Sequence, residues 1–273
     1  LKNLLGCCQN KLKFQGMKFT FFICIVILST TAFAQPPVKP NTWVFLLAGQ
    51  SNMAGRGIIE PQDTISSERI FTINAAGQLT RAKEPLHFYE PTRTGLDCGM
   101  SFAFELLKHI PDSVQLLIVP TAIGGSSLRQ WTGDSLYRGV HLLSNFREKA
   151  EWAKQYGTIK GILWHQGESD ANDKDTPFFH QRLTNLFRMF RGITGDPNTP
   201  ILLGELGSYS ETQDAWNKIN TMIRDFPESD PQTAVVTTAD LKDNGDKVHF
   251  NAAGQRELGK RYAQVFLTIQ KQK

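Results

Sequence analysis

Cysteine is scarce here, with four in 273 residues, and three of them (Cys7, Cys8 and Cys24) fall within the first 34 positions. With that stretch removed Cys98 stands alone, so no internal disulfide can form even in an exported protein. A lone thiol of this kind is expected to be a small buried filler. Long apolar runs are also missing. The best, Phe19 to Leu28, is too short for a helix to cross about 30 Å of hydrocarbon. A surplus of one charge is missing from the body of the chain as well. Lys2, Lys11, Lys13 and Lys18 account for the net +4, and setting them aside brings the 30 basic residues level with the 26 acidic ones. That removes the electrostatic case for nucleic acid. Internal repeats and low-complexity tracts are absent too, which excludes solenoids and disordered arrays.

The first segment present is a leader. From Met17 the chain runs through Lys18 and the apolar stretch to Ala32-Phe33-Ala34, the charge, apolar run and small-residue site of a cleaved signal peptide. We expect a signal at 17–34, a mature chain from Gln35, and residues 1–16 as translated upstream sequence. The protein is then exported, either periplasmic or secreted, with no stable membrane insertion after cleavage; an uncleaved anchor is the alternative. Cys24 lies inside the apolar run and not at its end, so no lipoprotein cysteine is expected.

Residues 35–41, with Pro36, Pro37 and Pro40, form an extended linker. Beyond it apolar runs alternate with helical stripes. Strands are expected at Val44–Ala48, Arg69–Ile73, Val114–Thr121, Ile159–Trp164, Pro200–Leu206 and Ala234–Thr238. Helices are marked by Phe102, Leu106, Leu107 and Ile110; by Val140, Leu143, Phe146 and Ala150; and by Phe179, Leu183, Leu186 and Phe190. Two more are marked by Trp216, Ile219, Ile223 and Phe226, closed by Pro227, and by Leu258, Tyr262, Val265 and Ile269, opened by Asn251. Such alternation predicts one α/β domain over 42–273, with a parallel sheet covered on both faces. Pro85 to Gly99 is a long polar and aromatic loop of the kind that carries function.

Ligands of such sheets bind at the carboxyl ends of the strands. The residues found there are Gly49-Gln50-Ser51-Asn52, Gly124-Gly125-Ser126, His165-Gln166-Gly167-Glu168, and a last loop holding Asp240, Asp243, Asp246 and His249. A serine becomes a nucleophile when a base takes its proton and a third group orients the base. Ser51 at a strand-to-helix turn, His249 as base and Asp246 three residues before it satisfy that requirement. The bland alternative is that Ser51 and Asn52 cap a helix and that Asp246 and His249 decorate a loop. Gly124-Gly125 allows close backbone approach and an N–H to an oxyanion, and Gln166 can add a side-chain donor. His165 and Glu168 do not make the H-E-x-x-H pattern, so no metal or cofactor is expected; Glu168 reads as an acceptor fixing Gln166, His165 or a loop N–H. Trp131 is either core or a wall for a sugar ring. Gln50 and Asn52 flank the serine and are expected to support the site or touch substrate.

In order and placement these motifs resemble the sialate O-acetylesterase/acetylxylan esterase family. That family comprises carbohydrate esterases of the SGNH (GDSL-like) hydrolase superfamily. The motifs are Gly49-Gln50-Ser51-Asn52-Met53, Ile123-Gly124-Gly125-Ser126 with Trp131, His165-Gln166-Gly167-Glu168, and Asp246-x-x-His249-Phe250 followed by Gly254 and Leu258-Gly259. The likeness runs from about Trp43 to Phe266. It implies a three-layer α/β/α sandwich with a flavodoxin-like central parallel sheet, and a metal-independent serine esterase removing acetyl groups from sugar hydroxyls. Acetylated xylan and O-acetyl sialic acid are the implied substrate types. Ser51, His249 and Asp246 carry over as the triad, with Asp243 as the fallback orienter. The Ser51 N–H, the Gly125 (or Gly124) N–H and the Gln166 side chain carry over as oxyanion donors, Gln166 replacing an asparagine of many relatives. Met53 in the second glycine position separates the motif from the G-x-S-x-G elbow. The same triad would serve lipid, aryl or peptidoglycan O-acetyl esters, and a non-catalytic carbohydrate-binding domain is the alternative from another class.

Overall fold

The strand that organises the molecule is β1 (Thr42–Gly49), in which Val44 to Ala48 are all fully buried. Successive side chains of a strand point to opposite faces, so an unbroken apolar run requires cover on both sides. Val44, Leu46 and Ala48 enter one apolar core and Phe45 and Leu47 the other. The structure, a computed structural model, describes residues 41–271. The expected leader and all of the linker before Asn41 lie outside the described residues.

After β1 come a single helical turn, α1 (Ser51–Ala54), and then β2 (Ile70–Ile73), β3 (Leu79–Arg81), α2 (Gly99–Leu107) and β4 (Gln115–Pro120). Next are α3 (Leu128–Thr132), the two-residue strands β5 (Leu136–Tyr137) and β6 (Val140–His141), α4 (Leu142–Ala153) and β7 (Thr158–His165). The chain closes with α5 (Phe179–Thr194), β8 (Ile201–Gly204), α6 (Gln213–Ser229), β9 (Thr233–Val236) and α7 (Ala252–Lys271). The main sheet has the order β3-β2-β4-β1-β7-β8-β9, with only β3 antiparallel to its neighbour.

Within it, β4-β1-β7-β8-β9 follows the flavodoxin order, in which a crevice opens where the strand order reverses. Here that point is between β1 and β7, whose ends are in register at Gly49 and His165. β2 and β3 extend the sheet beyond β4. Helices α3, α4, α5 and α6 cover one face through Trp131, Phe146, Phe190 and Phe226. The other is covered by α2 and α7 through Phe102, Leu106, Leu258, Tyr262 and Phe266. The expected three-layer sandwich is therefore the observed one.

Two details differ from the sequence reading. Pro227 does not close α6, which continues to Ser229. A proline removes one donor and crowds the carbonyl four residues back, yet the Asp230 N–H still reaches the Phe226 carbonyl at 3.1 Å. Tyr137-Arg138-Gly139-Val140 is a hairpin turn with φ of +50° at Arg138 and +79° at Gly139, the geometry of a type I′ turn.

Candidate active site

The chain leaves β1 through Gly49 at φ +134°, where an added Cβ would lie 2.0 Å from the His165 carbonyl oxygen. No other residue fits so close an approach. The Gln50 N–H donates to that same carbonyl at 2.9 Å. β1 is thus bolted to the end of β7, and α1 starts with Ser51 facing the crevice. The Ser51 N–H is the first of the turn and has no acceptor within it.

His249 reaches Ser51 from the loop between β9 and α7. Asp243 pairs with Phe250 as an isolated bridge, the Asn244 N–H donates to the His249 carbonyl at 2.9 Å, and the Asn251 N–H to the Lys242 carbonyl at 2.9 Å. Inside this loop Asp246 Oδ1 accepts the Val248 and His249 N–H groups, both at 2.8 Å. Its Oδ2 lies 2.6 Å from His249 Nδ1, and His249 Nε2 lies 2.9 Å from Ser51 Oγ. A carboxylate only accepts, so Nδ1 carries the ring proton and Nε2 is left as acceptor for the Ser51 hydroxyl. Partial burial pushes the Asp246 carboxyl up, but the bonds from the His249 ring and the two amides outweigh it and hold it below the usual carboxylate value. Asp243, the fallback orienter, is turned instead to the Gly245 and Lys247 N–H groups.

Asn52 ties the two halves together. Its Oδ1 accepts the Phe250 N–H at 3.0 Å, and its Nδ2 donates to the Val248 carbonyl at 3.0 Å and to Glu168 Oε1 at 2.6 Å. Both neighbours of His249 are therefore fixed by one side chain. Glu168 holds Asn52, and its Oε1 also lies 3.7 Å from the Nδ1 of His165, one of the partners the sequence suggested.

One sequence expectation is corrected, that for Gln166, and two readings left open, for Trp131 and Gly124, are decided. Gln166 is fully buried, and its Nε2 donates to the Ser126 carbonyl at 3.2 Å and to Asp170 Oδ2. With both amide hydrogens committed, it has none to offer an oxyanion. Trp131 is not a sugar wall. It is fully buried edge-on to Trp164 and Phe190, and its Nε1–H donates to Ser126 Oγ at 2.9 Å. Gly124 is not a free donor, since its N–H is held by Glu90 Oε2 at 2.7 Å. The Gly125 N–H has no protein acceptor among the described residues, and φ of +77° there suits glycine.

His165 also lies beneath the site and not in it. It is fully buried, with Nε2 on the Glu205 carbonyl at 2.9 Å, and burial holds its imidazole below the usual value against the opposing pull of Glu168. Cys98 is buried filler beside Met53, its thiol pushed well up by burial and then by Asp97 and Glu84.

What the sequence did not reveal is a basic wall. The cleft, about 310 Å³, is lined by Gln50, Ser51, Gly125, Glu168 and His249, and also by Arg56, Arg93 and Arg138. Glu90, from the Pro85–Gly99 loop, organises it: its carboxylate takes Arg56 Nη2 at 2.9 Å, Arg138 Nη1 and the Gly124 amide. Arg56 is pushed down to about 10 by burial and then by Arg93, so it stays charged at neutral pH. Arg93 is exposed and makes no ion pair among the described residues. The loop's length was the only signal for Glu90 and Arg93, and Arg56 and Arg138 lie outside it.

Comparison with known proteins agrees with this fold. A probable carbohydrate esterase of Arabidopsis thaliana is 28% identical over 253 residues, covering 86% of this chain and 93% of its own. Its X-ray structure superposes with a TM-score of 0.73, covering 84% of this chain and 98% of that one. NanS, at 18% identity, gives 0.64 over 86% of this chain and 100% of its own. A carbohydrate acetylesterase from Xanthomonas citri, also at 18%, gives 0.65 over 85% of this chain and 57% of its own. The family profile described as carbohydrate esterase, sialic acid-specific acetylesterase, matches residues 41–268. The chain belongs to that family, and is a carboxylic ester hydrolase of the carbohydrate acetylesterase kind.

Proposed function

We propose that the protein is an exported, serine-dependent and metal-independent O-acetylesterase acting on sugar hydroxyls. The observation that carries the reading is the unbroken line from Asp246 through His249 to Ser51, at 2.6 and 2.9 Å. Ser51 Oγ attacks the acetyl carbonyl while His249 Nε2 takes its proton. The tetrahedral oxyanion collapses as His249 returns that proton to the departing sugar oxygen, leaving acetyl-Ser51. Water, deprotonated by the same nitrogen, then releases acetate. The imidazole supplies the base that a metal would otherwise replace. Export rests on the leader from Met17 to Ala34.

The arginines favour an acetylated sugar that carries a carboxylate, of the O-acetyl sialic acid type, over acetylated xylan. Glu90 occupies Arg56 and one arm of Arg138, which leaves Arg93 and the second nitrogen of Arg138 without a protein acceptor, among the described residues, in the cleft that both residues line. A charge-assisted hydrogen bond contributes about 1.5–3 kcal/mol, or about tenfold to a hundredfold in preference. Acetate release by wild type and Ser51→Ala from O-acetyl sialic acid and from acetylated xylan tests both points. We expect at least tenfold higher kcat/KM on the anionic sugar and no release by Ser51→Ala. An active Ser51→Ala protein would refute the mechanism, and equal rates would refute the substrate class.

A further inference from the structure

The cleft is left with fewer free hydrogen-bond donors than its sequence suggests. Gln166 and Asn52 have committed their amide hydrogens, the Gly124 N–H is on Glu90, and Arg56 donates to Glu90 and to the Gly55 carbonyl. Apart from Arg93 and Arg138 on the basic wall, there remain the Ser51 and Gly125 N–H groups and one side-chain amide, that of Gln50. Gln50 is only 3% exposed and lines the same cleft as Ser51, Gly125 and His249. Its Oε1 accepts the Ser169 N–H at 3.2 Å, which fixes which end of the amide is which. Its Nε2 has no acceptor among the described residues and is not among the atoms sealed from solvent. A nearly buried amide in a residue that lines the cleft, with its oxygen tied and its nitrogen unpaired and open to solvent, is a preorganised donor waiting for an acceptor.

We infer that Gln50, and not Gln166, is the third oxyanion donor, its Nε2–H joining the Ser51 and Gly125 N–H groups on the tetrahedral oxygen. The assignment rests on the serine-esterase reading above. Placement one residue before the nucleophile gives it a rigid mount. The Gln50 backbone N–H is bonded to the His165 carbonyl, and its own carbonyl accepts the Met53 and Ala54 N–H groups of α1. Donor and nucleophile are thus held by the same turn. An oxyanion donor acts on the transition state and little on the ground state, so its loss appears in kcat.

The test uses Gln50→Glu, which keeps an oxygen for the Ser169 N–H but removes the donor, together with Gln50→Ala and Ser51→Ala. Hydrolysis of 4-nitrophenyl acetate is followed over pH, with thermal melting of each variant. We expect both Gln50 variants to lose about 100- to 1000-fold in kcat, with KM and melting temperature close to wild type and, in the uncharged Gln50→Ala, an unchanged pH profile. A kcat within threefold of wild type in either variant would overturn the assignment. So would a loss in Gln50→Ala accompanied by a displaced pH profile, since Gln50 would then act through His249. An active Ser51→Ala protein would instead fail the underlying mechanism, so the two failures are distinguishable.

Discussion

Asn52 holds the base more than it holds the nucleophile. Its amide bonds to the carbonyl before His249 and to the N–H after it, and its own carbonyl takes Gln255 Nε2 at 2.9 Å. Removing the side chain strands a buried N–H and a buried carboxylate, costing about 1–3 kcal/mol for each group left unpaired. It also frees the histidine loop, and a shift of about 1 Å in a catalytic group costs on the order of a hundredfold. Asn52→Ala is therefore expected to lower kcat on 4-nitrophenyl acetate by about a hundredfold and the melting temperature by several degrees. Activity within threefold of wild type would show that the loop holds itself. At this scale the sequence was legible where spacing constrains contact. Asp246 and His249 are close enough for one loop to join them, and Ser51 follows a strand that cannot end elsewhere. It was not legible where a side chain had two directions to choose from. Gln166 and Trp131 both sit beside the site in sequence, yet both turn into the core toward Ser126.

Elements could be read in proportion to their burial. β1, most of β4 and the second half of β7 are apolar runs because both faces are covered there, and their boundaries fall close to those expected. The edge strand β3 and the pair β5 and β6 were not foreseen, since two or three residues hold no period. The type I′ turn at Arg138-Gly139 would have been readable as Asn-Gly or Asp-Gly; an arginine at φ +50° gives no such sign. That hairpin matters, because it delivers Arg138 to Glu90 and closes the basic side of the cleft. The Pro85–Gly99 loop showed its importance by its length, but which of its residues faces substrate is decided by tertiary contacts to Gly124 and Arg56, whose partners are distant in sequence.

Across the whole molecule the sheet order places the crevice, and the burial that creates it also traps an acid. Glu84 is buried near Asp97, whose Oδ2 takes His87 Nδ1 at 2.8 Å. Burial, and then the Asp97 charge, hold the Glu84 carboxyl well above its usual 4.5. Folding therefore takes up a proton. Glu84 favours the folded state fully only below about pH 4.5, and that contribution is lost as pH rises toward the raised folded value. Glu84→Gln removes the penalty, so it should melt at higher temperature than wild type at pH 7–8, with the gap closing below about pH 4.5. A variant that melts lower at pH 8, or a gap independent of pH, would contradict a protonated Glu84 in the folded protein.

The claim on which the rest depends is that Ser51 is activated by a base 198 positions away. Incubation with a fluorophosphonate probe, followed by intact-mass measurement and peptide mapping, tests it without choosing a substrate. The account predicts one adduct per chain, on Ser51, formed much more slowly in His249→Ala. An adduct on another residue, or an unmodified Ser51 in folded protein, would contradict it.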